Sequence, residues 1–126
     1  MKLHSPATDG LLAITSYDAG HIAVNGRRLT KSFLLTPQRL IEDWAPSSVD
    51  GLSESDLQQV ADLNCSIVLL GTGPRQRFPA RALLRTLTER RIGVEVMDSH
   101  AACRTYNVLM AEGRDVAAAL IIECAS

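Results

Sequence analysis

SIVLLGTGPRQRFPARALLRTLTERRIGVEVMDSHAACRTYNVLMAEGRDVAAALIIEC, residues 66–124, is the stretch on which the fold turns. It holds three apolar runs of strand length, SIVLLG (66–71), VEVM (94–97) and DVAAALIIEC (115–124), each separated from the next by a helical pattern. A strand with hardly a polar residue is buried on both faces, the usual state of parallel strands inside a covered sheet. Pro79 suits the first turn of a helix in which Leu83, Leu84 and Leu87 face inward while Arg81, Arg85 and Glu89 face water. Gly93 is expected to end that helix. Asp98 or Ser99 caps a further helix through about Ala111, and Gly113 punctuates the return to strand.

Upstream, Ser53 with Asp56 three residues on reads as a capping box opening a helix with Leu57, Val60 and Ala61 on one face. The first third is richer in extended signals. LLAITSY (11–17) and HIAV (21–24) lead into Asn25-Gly26, whose tolerance of positive φ marks a type I′ hairpin turn. RRLTKSFLLT (27–36) continues as a third extended stretch as far as Pro37, so a β-meander fits. QRLIEDW (38–44) fits a short strand or one helical turn, and Pro46–Gly51 reads as a loop. Together these elements predict an α/β fold: a layered mixed sheet with helices packed on it and an attached N-terminal β-hairpin region, in a single domain spanning 1–126.

Composition narrows the partners. The chain has 126 residues, with 13 basic and 14 acidic side chains and a formal net charge of −1. That balance argues against gripping a nucleic-acid backbone by bulk charge, and 4% aromatics leave few platforms for stacking bases. The longest apolar run, VAAALII (116–122), is far too short for a membrane span, and the N-terminus has no apolar core of signal-peptide length. Cys65, Cys103 and Cys124 are an odd number at wide spacing, expected as reduced thiols in the cytoplasm. Without a CxxC, and with His4, His21 and His100 scattered, no metal site is expected. Asp9 and Asp18 fall in turns, where bonding to their own backbone accounts for them.

Two loops follow strands at the end of the sheet where α/β proteins bind ligands. The first, Gly71-Thr72-Gly73-Pro74-Arg75-Gln76-Arg77-Phe78, offers a helix start and two arginines to a small anion. It lacks the third glycine of the dinucleotide fingerprint, since Gln76 stands there, and it lacks Gly-Lys-Ser/Thr of the phosphate P-loop, so no cofactor is expected. The competing view is a tight turn with solvated arginines. The second loop begins at Asp98; Ser99, Cys103 and Asn107 recur at i, i+4 and i+8 on one helix face, with Arg104 beside them and Ala102, Tyr106 and Leu109 as the adjoining apolar stripe. A Cys103–His100 nucleophile lacks an orienting group and an oxyanion hole, so a buried inert thiol is the simpler expectation and no catalytic residue is assigned. Arg104, Glu112 and Arg114 form a candidate charge cluster, and Trp44 is either an interface anchor or a lid over the sheet.

GTGPRQRFP followed by GVEVMDSHAACRTYNVLMAEGRDVAAALI, with ITSYDAGHIAVNG and SFLLTPQRLIEDW upstream, resembles the Mth-like family (domain of unknown function 498) over nearly the whole chain. The most specific part is Gly93 to Arg114. That family includes a mitochondrial assembly factor for NADH:ubiquinone oxidoreductase. The resemblance implies a layered α/β fold with a mixed sheet and a hairpin region, no carried-over catalytic motif, and an accessory role in binding other proteins. The leading expectation is therefore a non-catalytic binding or assembly-accessory protein whose partner is another protein. The alternative is a small-molecule binder or enzyme with an anionic ligand in the cleft between the 71–78 loop and the helix start at Asp98. A redox role for Cys103 ranks third.

Overall fold

The computed structural model describes residues 10–123. Ile14–Asp18 (β1), His21–Val24 (β2) and Arg27–Leu29 (β3) form a three-stranded antiparallel meander. Phe33–Leu35 (β4), Leu40–Ile41 (β5), Ile67–Gly71 (β6), Gly93–Met97 (β7) and Val116–Leu120 (β8) form a second sheet in the order β5-β4-β8-β6-β7. In it β8, β6 and β7 run parallel while β4 is antiparallel to both β5 and β8. The helices are Glu54–Ala61 (α1), Arg81–Thr88 (α2) and Ser99–Ala111 (α3). The predicted mixed α/β architecture is thus the observed one.

β8 explains the layering. Its side chains alternate across the sheet, and both faces are buried. Val116, Ala118, Leu120 and Ile122 face a core shared with Ala102, Cys103, Tyr106 and Met110 of α3 and with Ile14, Ile22, Val24 and Leu29 of the meander. Ala117, Ala119 and Ile121 face the other core, built from Leu57, Val60 and Ala61 of α1 and Leu87 of α2. Three consecutive alanines bring both covering layers close to the middle of the sheet. Trp44 is 3% exposed, and its indole N–H donates to the Asp56 carbonyl, so it is a lid over this second core and not an interface anchor.

The meander reaches α3 through paired side-chain bonds. Asn107 accepts from the Ile14 N–H at 2.9 Å and donates to the Ile14 carbonyl at 2.7 Å, which extends the edge of β1 onto the helix. Tyr106 donates its hydroxyl to the Leu12 carbonyl at 2.7 Å. Asn25 (φ 48°) and Gly26 (φ 86°) make the hairpin turn that their sequence predicts. The capping box is present, Ser53 Oγ accepting from the Asp56 N–H and Asp56 returning an acceptor to the Ser53 N–H.

Several boundaries differ from expectation. The extended stretch 27–36 is two strands in two sheets: β3 closes the meander, and after Thr30–Ser32 the chain enters the large sheet as β4. Ser32 Oγ there accepts from the Ile122 N–H, a long-range tie that residue pattern alone does not announce. Residues 38–44 supply the two-residue β5, and the loop after Pro46 contains a 3-10 turn at Val49–Gly51. Pro79 stands before α2, whose N-cap is Ala80. Gly93 begins β7 instead of ending α2; the left-handed position falls on Arg91 (φ 61°). β8 stops at Leu120, and Cys124, like His4 and Asp9, lies outside the described residues.

Gly71 is the point at which α3 meets the sheet. A Cβ there would lie 2.9 Å from the Ser99 Cα and 2.9 Å from Leu120 Cδ2, closer than packed carbon atoms tolerate. Gly71→Ala is expected to lower unfolding free energy by about 1–3 kcal/mol through overpacking against backbone. Gly20→Ala, where a Cβ meets nothing within 4 Å, should change it by less than about 0.5 kcal/mol. Urea unfolding followed by circular dichroism checks both, and equal stabilities would contradict the close-approach argument.

Candidate functional site at the carboxyl ends of the parallel strands

β6 and β7 are adjacent, so the corners after Gly71 and Met97 open onto one rim, together with the end of β8. Ser99 joins all three. Its N–H donates to the Gly73 carbonyl at 2.8 Å, its Oγ accepts from the Gly73 N–H at 2.8 Å, and the same hydroxyl donates to the Ile121 carbonyl at 2.7 Å. Gly73 (φ 94°) takes a conformation that suits glycine, and a Cβ there would also crowd Glu123 at 3.2 Å. Asp98 caps α3, accepting from the Ala101 N–H at 2.9 Å.

These bonds take up the amide and hydroxyl groups nearest the expected cleft. Where an anion was to sit between the 71–78 loop and the helix start, Gly73 and Ser99 bond directly to each other. Thr72 is buried; its hydroxyl donates to the Arg75 carbonyl at 2.6 Å and accepts from the Arg77 N–H, so it braces the loop from within. Arg77 is bound to Asp50, with contacts of 2.6 and 2.7 Å to the two carboxylate oxygens, and approaches Glu123 at 4.0 Å. Those carboxylates push its guanidinium pKa further up. Arg75 is exposed on the surface. Of the ten residues predicted from sequence, the structure brings Gly71, Thr72, Gly73, Asp98 and Ser99 together as a self-satisfied joint.

The remaining three lie along α3, facing elsewhere. Cys103 is fully buried in the core, and burial pushes its thiol up to about 12, leaving no thiolate for redox or nucleophilic work near neutrality. Asn107 is consumed in docking β1, as described. Arg104 is exposed and donates to the Tyr17 hydroxyl at 3.2 Å; no ion pair joins it to Glu112 or Arg114 among the described residues.

A cavity of about 140 Å³ does open on this rim, on the meander side of Gly73. Gly73 and Ser99 of the expected cleft line it together with Asp18, His21, His100 and Glu123, the last four drawn from three separate segments that sequence spacing could not assemble. His21 Nδ1 lies 2.7 Å from Asp18 Oδ1, and His100 donates to the Asp18 carbonyl at 2.9 Å. The Gly20 N–H and His21 hold the Asp18 carboxyl below the usual carboxylate range. Two carboxylates and two imidazoles therefore set the local field of this cavity. No group of three or more His, Cys, Asp or Glu among the described residues could hold a metal ion.

Residues 14–121 match the protein family described as "Protein of unknown function (DUF498/DUF598)". The chain belongs to this family. The DUF498/DUF598 chain is 36% identical over 110 residues to bovine NADH dehydrogenase (ubiquinone) 1 alpha subcomplex assembly factor 3, covering 86% of this chain and 59% of that protein. It therefore spans well under two thirds of that relative's length. A "13 kDa major membrane protein" of Francisella tularensis is 32% identical over 122 residues, covering 96% of this chain and 99% of that one. The solution structure of a Mth938-like domain from Bordetella pertussis superposes with a TM-score of 0.84 at 33% identity, covering 100% of this chain and 95% of that chain. The family resemblance and the fold expected from it are thus both observed.

The two described thiols give a pH test. Both ordinarily ionise near 9; burial raises Cys103 to about 12, and burial with nearby Asp115 raises Cys65 to about 11. The folded state retains protons that the unfolded chain releases above pH 9. Their contribution is whole below pH 9 and declines as pH rises through 9 toward those higher values. In a Cys124→Ser background, Cys103→Ala should flatten the alkaline loss of stability between pH 9 and 11 measured by urea unfolding. A thiol reagent should label the unsubstituted pair only as fast as the protein opens, and prompt labelling of native Cys103 at pH 7 would contradict its burial.

Proposed function

We propose that this protein is a non-catalytic accessory factor that acts by binding another protein, in the cytoplasm. The observation that carries this reading is the alignment with complex I assembly factor 3 over 86% of the chain. The site adds support from chemistry. The Thr72 and Ser99 hydroxyls and the Gly73 amide at the rim are spent on neighbouring backbone and on each other, and the Cys103 thiol is buried and protonated. Such groups hold a shape; they do not offer a free nucleophile beside a free base. Cys65 and Cys103 as unpaired thiols support a reducing compartment.

One relative bears the name of a membrane protein, and no described helix of this chain is long and apolar enough to cross a membrane. A factor held at a membrane by the protein it binds reconciles that name with an assembly role. The test is affinity capture of the full-length tagged protein, cross-linked in its source cells and identified by mass spectrometry, alongside turnover assays on nucleotides, phosphosugars and organic acids. The expected result is one recurrent protein partner at fixed stoichiometry and no turnover. Turnover of any of those substrates with no recurrent partner would sink the proposal.

A further inference from the structure

We infer that the free edge of β7, with the arginine-rich loop and helix beside it, is the surface on which an acidic, extended segment of a partner protein adds as a further strand. This deepens the partner-binding reading and rests on it. The large sheet has two edges. β5 is only two residues long and offers little, whereas β7 is five residues long and paired on one side alone.

The outward atoms follow from the ladder. The Gly93 N–H donates to the Ser66 carbonyl at 2.9 Å, and the Met97 carbonyl accepts from the Thr72 N–H at 2.9 Å. Odd-numbered residues of β7 therefore bond to β6, and the N–H and carbonyl groups of Val94 and Val96 point away from the sheet. A side chain already acts as a partner there: Gln76 Nε2 donates to the Val96 carbonyl at 2.9 Å. The Val94 N–H and carbonyl and the Val96 N–H have no partner among the described residues. An added peptide backbone supplies the alternating donors and acceptors that such an edge accepts. Lipid headgroups and nucleic-acid phosphates supply acceptors without that alternation.

Charge selects the partner. Residues 74–91 carry Arg75, Arg77, Arg81, Arg85, Arg90 and Arg91, six of the chain's 13 basic residues, against the single acid Glu89. Arg77 and Arg90 are paired with Asp50 and Asp62, but Arg75, Arg81, Arg85 and Arg91 have no carboxylate within 4 Å among the described residues. α2 packs on β7, and Gln76 ties the loop to the edge of that strand, so basic face and free edge adjoin. In the same loop Phe78 is 71% exposed, an aromatic anchor flanked by arginines. Leu83, Leu84 and Leu87 turn inward, so α2 has no apolar stripe left to lay on a membrane.

A second copy is a poor occupant. Antiparallel β7–β7 pairing centred on residue 95 sets Glu95 opposite Glu95 and brings two arginine-rich helices together along the seam. An acidic strand meets complementary charge instead, its alternate side chains falling on the α2 side of the sheet.

The test uses an eight-residue capped peptide alternating Glu and Val, its Lys-for-Glu counterpart, phosphatidylglycerol vesicles and an oligothymidylate, each titrated into the ¹⁵N-labelled full chain. The Glu peptide should shift the Val94 and Val96 amides and slow their hydrogen exchange, with affinity falling as salt is raised. Val94→Pro removes an outward N–H that takes no part in the β6 ladder, at the cost of the Val94 packing on the second core, and R81E/R85E reverses the charge without touching the edge. Each variant should weaken binding at least about tenfold; should Val94→Pro fail to fold, R81E/R85E alone decides. The assignment is overturned by no shift at those two amides at millimolar peptide, equal binding of the Lys peptide, tighter binding of vesicles or oligothymidylate, or concentration-dependent dimers that protect Val94. If the captured partner is retained equally by both variants, the docking surface is wrong while the accessory reading stands; if the unsubstituted protein captures none, the accessory reading itself falls.

Discussion

Ser99 Oγ sits at a place where three chain segments must be held at once. It accepts a hydrogen bond from the Gly73 amide and donates one to the Ile121 carbonyl, and its site is almost closed to water. Each such bond contributes only about 0.5–1.5 kcal/mol net, but a buried amide or carbonyl left without a partner costs about 1–3 kcal/mol. The joint therefore matters more for what its loss would expose than for its own strength. Because Gly71 has no side chain, the first turn of α3 can lie directly on the end of β6. That contact sets the line of the helix, and the helix then sets the meander: Tyr106 and Asn107, two turns on, bond to the backbone of Leu12 and Ile14.

Much of this was legible in the residues because its causes are local. SIVLLG and VAAAL could only be interior strands, the Asn25-Gly26 turn followed from positive φ, and Ser53 with Asp56 named a helix start. What was not legible depends on distant parts of the chain. Nothing in RRLTKSFLLT shows that it changes sheets, because the switch is held by Ser32 reaching Ile122. Arg91 takes a left-handed conformation that Gly93, two residues on, seemed better suited to adopt. The arrangement of the candidate site was hidden for the same reason. Polar residues near a strand end look alike in sequence whether they await a ligand or bond to one another, and only the fold shows that Thr72, Ser99 and Asn107 do the latter.

The cavity lined by Asp18, His21, His100 and Glu123 shows how the two levels of description can point in opposite directions. Sequence placed arginines near the rim, where they read either as an anion site or as solvated side chains of a tight turn. Folding turns Arg77 toward Asp50, leaves Arg75 outside, and brings in Asp18 and Glu123 from remote segments. The sign of the local field is decided by which side chains the topology imports, and a loop's own charges do not report it.

Net charge conceals a similar arrangement across the whole molecule. A formal charge of −1 describes a chain with six of its 13 basic residues in 74–91 and all but one of its 14 acids outside that segment. Summed over the chain the two nearly cancel; at a surface within a Debye length of α2 they do not. Among the described residues, the groups left over near α2 include arginines without carboxylates and the outer edge of β7. Here those leftovers lie side by side, and a peptide backbone bearing carboxylates answers both.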